Sequence, residues 1–430
     1  MTAVLVAGGI IYLYMIRFAK KTHPQNGLLV WIVAIGLVMR ITMLFSTPML
    51  EDDYFRYLWD GALTARGINP YTYAPQSVID NDPNIPDAMK ELVAESGDVV
   101  RRINHPQIRT IYPPVTQAFF ATAHLLSPWN VLGWRFVLLL VDIVNLILLL
   151  SILRFFGLSS FWIAVYWWNP LLVKEIFNSG HMDILIIPFA IGAILLLLKN
   201  RHLLSSILLA LGTGVKLWPI LLLPLFLRRI HSDYKKVILF FLIFALIGII
   251  LFAPIYLSGV DDTLGFQIYA KSWENNDAFF HGLVWIWELI LPVLRLHPGH
   301  GQLAGRATVL TILASLISFL ILRRRDDGSN FVNQCLIIVA AGFLISPTQF
   351  PWYFVWVIPF LIMKPASSLL ILTALLPLYY LRYYFEPRGM ISLFNNGVVW
   401  LEFTPVWILL LREWLNSRSL RPVPKTVAGQ

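Results

Sequence analysis

The chain has 430 residues, 58% hydrophobic and only 13% charged, with a mean hydropathy of +0.70. Soluble domains carry roughly 25% charged residues, so a soluble globular fold is excluded and the expected class is all-α, a polytopic helical membrane protein. The net charge of +9 sits in short basic clusters, which is a topology signal and forms no nucleic-acid patch.

The first apolar run, Met1 to Ile16, has no basic start and no A-x-A cleavage site, so it reads as a retained first span or anchor. Runs long enough to cross a bilayer, about 20 residues or fewer where it thins, fall at 2–17, 27–46, 112–128, 132–153, 182–198, 236–256, 305–322, 331–347, 352–364, 367–383 and 396–412. Basic clusters mark the cytoplasmic side: Arg17/Lys20/Lys21, Lys199/Arg201, Arg228/Arg229/Lys235/Lys236 and Arg323/Arg324/Arg325. A cytoplasmic tail, 413–430, follows Arg412 and carries Arg418, Arg421 and Lys425.

Segment 203–227 lies between two of these clusters and so does not cross once. It predicts a re-entrant hairpin turning at Gly212-Thr213-Gly214, its irregular backbone hidden in protein or facing a cavity. The same parity makes 158–180 a hairpin broken at Trp168-Asn169-Pro170 and 280–297 an interfacial segment; the alternative is one loop that breaks the charge rule. The expected architecture is about 11–13 spans with re-entrant half-helices. It forms one domain over 1–430, integral to the plasma (inner) membrane. Cys335, the single cysteine, excludes an internal disulfide framework.

The large loop 47–111 is then extracytoplasmic. It holds ten acidic residues against six basic ones. It opens with Glu51-Asp52-Asp53 and a segment in which Phe55, Leu58, Trp59 and Ala62 share one helical face, with Asp52, Asp53, Arg56, Tyr57 and Asp60 on the other. Such a helix is expected flat on the bilayer, Phe55 and Trp59 in the headgroup zone. Acids at a helix start often only complement its dipole. Three in a row exceed that need, and a carboxylate at a membrane cleft suits a general base.

Gly67-Ile68-Asn69-Pro70-Tyr71 reads as a helix stop followed by a turn. Pro113-Pro114 starts a span, leaving Tyr112 and Gln117 near the surface as equally good structural or substrate-binding groups, beside Asn104-His105-Pro106. Lys174-Glu175, His181 and Asp183 are ionisable groups in apolar sequence, candidates for function by default. His181 and Asp183 alone do not make a metal site, so hydrogen bonding to substrate or structure is the better reading. Lys216, in Lys-Leu-Trp-Pro, must snorkel, pair or meet a lipid phosphate. Gln349, Trp352 and Tyr353 sit at the mouth of a span, where aromatic residues are first of all belt residues.

Taken in order, DDYFRYLWDG with GINPY, YPPVTQ, NSGHMD, VKLWP and SPTQFPWYFVWVIPF resemble the GT-C superfamily of integral-membrane glycosyltransferases. The nearest likeness is the bacterial mannosyltransferase-like group, glycosyltransferase family 87 and its relatives. The resemblance implies an inverting enzyme that moves a hexose, mannose first, from a polyprenyl-phosphate donor to a hydroxyl of a lipid or glycan acceptor at the outer face. It places the catalytic carboxylate in the first outer loop, on Asp53 or Asp52. The substrate-binding candidates are Glu51, Arg56, Tyr57, Asp60, His105, Tyr112, Gln117, His181, Asp183, Lys216, Gln349, Trp352 and Tyr353. It requires no cofactor, and a divalent metal is compatible with so acidic a loop. One departure stands out: such enzymes place the catalytic loop after the first span, whereas here 2–17 precedes it. The competing class is a transporter or flippase of a lipid-linked or polysaccharide intermediate, which favours matched helix breaks in two halves; no such symmetry is visible.

Overall fold

The computed structural model describes residues 1–19, 26–259, 261, 263–323 and 327–419. Lys20, Lys21, Asp262, Arg324, Arg325, Arg421 and Lys425 lie outside the described residues, as do the side chain of Arg418 and the tail from 420 onward. The chain is a polytopic helical bundle: among the described residues seven helices are long and apolar enough to cross a membrane. They include Val131–Phe155, Tyr234–Leu257, Gly301–Leu322 and Gly328–Ile345. Many of their large side chains face outward, among them Ile249, Leu310 and Leu322, as lipid-facing helices require.

The direction of each pass follows from side-chain contacts. Along Val131–Phe155, Trp134 donates to the carbonyl of Gly180 at 2.6 Å, Arg135 bonds the carbonyl of Asn178, and Tyr166 donates to Asp142. The helix and the 160–178 segment therefore run antiparallel. Residues 158–180, expected as a hairpin, are one broken pass. Asn169 caps its middle and Pro170 begins the next turn, where a ring without an N–H costs nothing.

The expected span 112–128 is corrected as well. Its helix is only Pro114–Leu126, and both its ends lie at the site end of the molecule. It packs alongside Tyr54–Ala65, with Tyr57 stacked on Phe120 at 4.6 Å. A Cβ on Gly61 would stand 2.4 Å from the Phe120 carbonyl oxygen, so only glycine permits that approach. The two corrections cancel, and every later pass keeps its expected direction.

The re-entrant segment keeps its parity and moves its turn. Ser206 donates to the Phe240 carbonyl, and Gly214 lies against Leu251. His202–Val215 thus rises beside the start of Tyr234–Leu257 in the same sense, and the chain must return before Tyr234. The reversal is at Lys216–Leu217, because Gly212 and Gly214 are helical and serve as close-packing points against Phe189 and Val115. Segment 280–297 is the helix Phe279–Val293, which doubles back on Gly301–Leu322 through Glu288 and the Gly301 amide. Thr2–Ala19 packs by one side on the outside of the bundle, with Tyr12 donating to the Val165 carbonyl and Gly9 packed on Ala374, while Val4, Ile11 and Tyr14 stay exposed. The expected span 352–364 is a buried tight helical turn, Pro351–Trp356, followed by the short helix Ile358–Leu361.

The apolar face of Tyr54–Ala65 meets protein where headgroups were expected. Phe55 and Trp59 are buried in a second small core with Val78, Met89, Leu92 and Val100, built from the same outer loop. Gly67 ends the helix at φ 72° and Asn69 accepts from the Tyr71 amide, the stop-and-turn expected there.

Candidate active site

Asp53 sits at the start of that helix but does not cap it, since no side-chain cap bond is formed there. Its carboxylate is held from the loop instead. Asn104 Nδ2 donates to Asp53 Oδ1 at 2.8 Å and to Asp52 Oδ1 at 2.9 Å. His105, at φ 49°, turns the chain here, and Arg56 bonds the carbonyls of His105 and Ile108 at 3.1 and 2.8 Å. Two donors of Arg56, on one nitrogen, thus fix the loop behind the carboxylates.

These groups line a cavity of about 430 Å³ at the acidic end of the bundle. Glu51, Asp52, Asp53, Arg56, Tyr57, His105, Tyr112, Asp183, Lys216, Trp352 and Tyr353 all reach it. Asp53 is 22% exposed, and burial, reinforced by Asp52 and Asp183, raises its pKa to about 6 despite the Asn104 hydrogen bond. Burial and then the Asp53 charge push Glu51 well above the usual carboxylate range; Tyr383 donates to it at 3.1 Å. Burial, then Arg56, lowers His105.

Lys216, at the tip of the re-entrant segment, bonds Asp183 Oδ1 at 2.7 Å and stands 3.8 Å over the Tyr353 ring. Trp356 Nε1 donates to the same Asp183 oxygen at 2.8 Å and stacks on Tyr353 at 4.5 Å. An ammonium has three donors, and one goes to Asp183. Behind Tyr353 and Trp356 lies an apolar cavity of about 240 Å³ between Trp218, Val309, Val339 and Phe343.

Four expected site residues do not line the polar cavity. Asp60 and Gln117 face each other inside the loop core at 3.2 Å. Gln349 pins the 344–349 turn through the carbonyls of Leu344 and Ser346. His181 is buried beneath Asp53, stacked on Trp352 at 3.7 Å. Asn104, Trp356, Tyr379, Arg382 and Tyr383 were not singled out as site residues. Trp356 follows Trp352 at i+4 on the same broken turn, the one signal that pointed inward. Among the described residues no three His, Cys, Asp or Glu side chains are grouped to hold a metal ion.

The description of glycosyltransferase family 87 matches residues 110–347, more than half of the chain. The chain belongs to that family. This family 87 glycosyltransferase is similar to alpha-(1->6)-mannopyranosyltransferase A of Mycobacterium tuberculosis, with 25% identity over 408 residues, covering 86% of this chain and 72% of the relative. The match begins at Thr110, beyond the helix that carries Asp53, so the carboxylates rest on the cavity geometry and the motif resemblance.

Proposed function

We propose that this glycosyltransferase moves a mannosyl residue, with inversion, from polyprenyl phosphate to a hydroxyl of a lipid or glycan acceptor at the extracytoplasmic face of the plasma (inner) membrane. The observation that carries the reading is the meeting of Asp53 and Lys216 in one cavity. Ionised Asp53 takes the acceptor proton as the new C1–O bond forms. The C1–O bond to phosphate breaks on the opposite face of the sugar. The departing phosphate gains charge, which the remaining Lys216 donors meet in a partly dry site. The apolar cavity behind Tyr353 and Trp356 suits an isoprenoid tail, and this supports a lipid-borne donor. An ammonium at the leaving group supplies charge there without a cofactor, and the acidic cleft is also compatible with a divalent metal.

Purified enzyme offered labelled polyprenyl-phosphate mannose or glucose with membrane glycolipids should transfer mannose. Asp53→Asn should reduce transfer at least about 100-fold, the lower end of what a general base contributes, with a smaller loss for Asp52→Asn. Transfer untouched by both would remove the base, and lipid translocation without transfer would favour a flippase.

A further inference from the structure

Beneath Asp53 the structure holds a fully buried imidazole that neither the transfer step nor the packing explains. His181 is 0% exposed, and neither ring nitrogen has a hydrogen-bond partner. Unpaired buried polar atoms are costly, so each one asks for a reason. Nδ1 faces Asp53 Oδ2 at 3.6 Å, and Nε2 faces Glu175 Oε2 at 3.8 Å. Both gaps exceed a hydrogen bond, yet catalytic contacts are often long before substrate binds and shorten when it does.

The ring cannot turn away. Trp352 stacks on one face at 3.7 Å and 12°, and Phe350 stacks on Trp352 at 4.3 Å. Gly180, at φ 79°, makes the preceding bend, and its carbonyl is held by Trp134. The backbone of 174–178 is a single wide helical turn, a form frequent at functional sites. It brings Glu175 under the ring. Glu175 is an established acceptor there, since Tyr380 Oη lies 2.7 and 2.9 Å from its two oxygens and Lys174 Nζ lies 3.4 Å from Oε2.

We infer that His181 is a positioning residue for the base: Glu175 holds its proton on Nε2, so that Nδ1 presents a lone pair to Asp53 and receives the hydrogen bond that forms once Asp53 has captured the acceptor proton. The inference rests on Asp53 as base and extends that reading to a carboxylate–imidazole–carboxylate line. A lone pair facing Asp53 disfavours its ionised form and favours its protonated form, which makes the carboxylate a stronger base. The proton count is one throughout. It leaves the acceptor hydroxyl, stays on Asp53 while shared with Nδ1, and returns to water after product departs. Other charged groups face Asp53 as well. Asp52, Glu51 and Asp183 act in the same sense as the lone pair, while the Asn104 hydrogen bond, Lys216 and Arg56 oppose it. Tyr57 Oη lies 3.5 Å from Asp53 Oδ2. Burial first, and then Lys174 and Lys216, disfavour a second proton on the imidazole, which keeps one nitrogen as an acceptor.

His181→Phe keeps the stack on Trp352 and removes both nitrogens. Rates would be measured from pH 5 to 9 with labelled polyprenyl-phosphate mannose, beside Asp53→Asn and the unaltered enzyme. The expected result is kcat at least ten-fold lower with donor KM within two-fold, and an acid limb moved to lower pH. Glu175→Gln, which loosens the hold on Nε2, should move the limb the same way, and the double variant should add little. An unmoved limb in His181→Phe, at any rate, overturns the inference and leaves the ring a packing element. If that variant does not fold, an unmoved limb in Glu175→Gln overturns it equally. Loss of transfer in Asp53→Asn with an unmoved limb in the other two defeats this inference alone, whereas transfer intact in Asp53→Asn defeats the proposed base itself.

Discussion

Asp53 and Asn104 show how one amide tunes a carboxylate. The Asn104 hydrogen bond favours the ionised form and opposes the burial that raises Asp53 to about 6. A base must be ionised, so transfer should fall as pH drops through about 6. Asn104→Ala removes a donor to the charged form and should move that acid limb to higher pH, lowering the rate at pH 6 more than at pH 8. Equal losses at both pH values would mean Asn104 acts only on loop structure. Lys216 makes a different prediction. Its ammonium is already paired with Asp183 at 2.7 Å, so Lys216→Gln leaves a buried carboxylate without its charge partner and takes cationic charge from the leaving group. We expect kcat to fall about 100-fold, of the order found when one transition-state donor is removed, with a rise in the thermal lability of the re-entrant tip. Loss of stability with kcat preserved in the folded fraction would confine Lys216 to structure.

At the scale of elements, close packing positions the base. The Tyr54–Ala65 helix is pressed on Pro114–Leu126 at Gly61, where an added methyl would meet backbone. Gly61→Ala should cost about 1–3 kcal/mol as overpacking and displace Asp53 with its helix, lowering both melting temperature and transfer. Gly248, with open space around it in Tyr234–Leu257, is the control, and alanine there should be neutral or mildly stabilising. The same pair of helices shows what the amino-acid order reveals and what it hides. The acid-led amphipathic segment at 51–62 was legible from its period. The partner of its apolar face was not, because Phe55 and Trp59 look alike whether they meet lipid or Met89 and Leu92. Residues 112–128 read as a span for the same reason: hydropathy measures transfer out of water and does not distinguish bilayer from protein interior. At 212–214, two glycines suggested a turn, but helical glycines in a tight bundle can mark close contacts instead. Lys216, the polar residue that could not stay in the hydrocarbon, marked the reversal better. His181 was visible as an ionisable group in apolar sequence, while its lack of partners required coordinates.

For the molecule as a whole, alternation of passes places Arg17, Lys199/Arg201, Arg228/Arg229/Lys235/Lys236 and Arg323 at the end opposite the cavity. The pass order depends on the re-entrant segment returning to its starting side. The return is held by Arg228, which donates to the Leu320 carbonyl near the end of Gly301–Leu322. The first passes are locked by a buried pair: Arg40 bonds Asp142 at 2.5 Å, with both side chains fully buried. Removing one partner of such a pair strands a charge and typically costs about 3–5 kcal/mol, so Arg40→Met alone should prevent stable folding. The topology itself is testable with single cysteines in a Cys335→Ser background, Cys335 being buried. Asn200, Ser232 and Asp98 are exposed. In sealed inverted and right-side-out vesicles, cysteines at Asn200 and Ser232 should label from one common side, and one at Asp98 from the other. Had 202–229 crossed once, Asn200 and Ser232 would label from opposite sides. Every later pass would then invert, the 346–352 turn would separate from the 47–111 loop, and Trp352 would lie across the membrane from Asp53. The polar cavity requires Asp53, Lys216 and Trp352 at one end, so opposite-side labelling of Asn200 and Ser232 would dismantle the site together with the pass order.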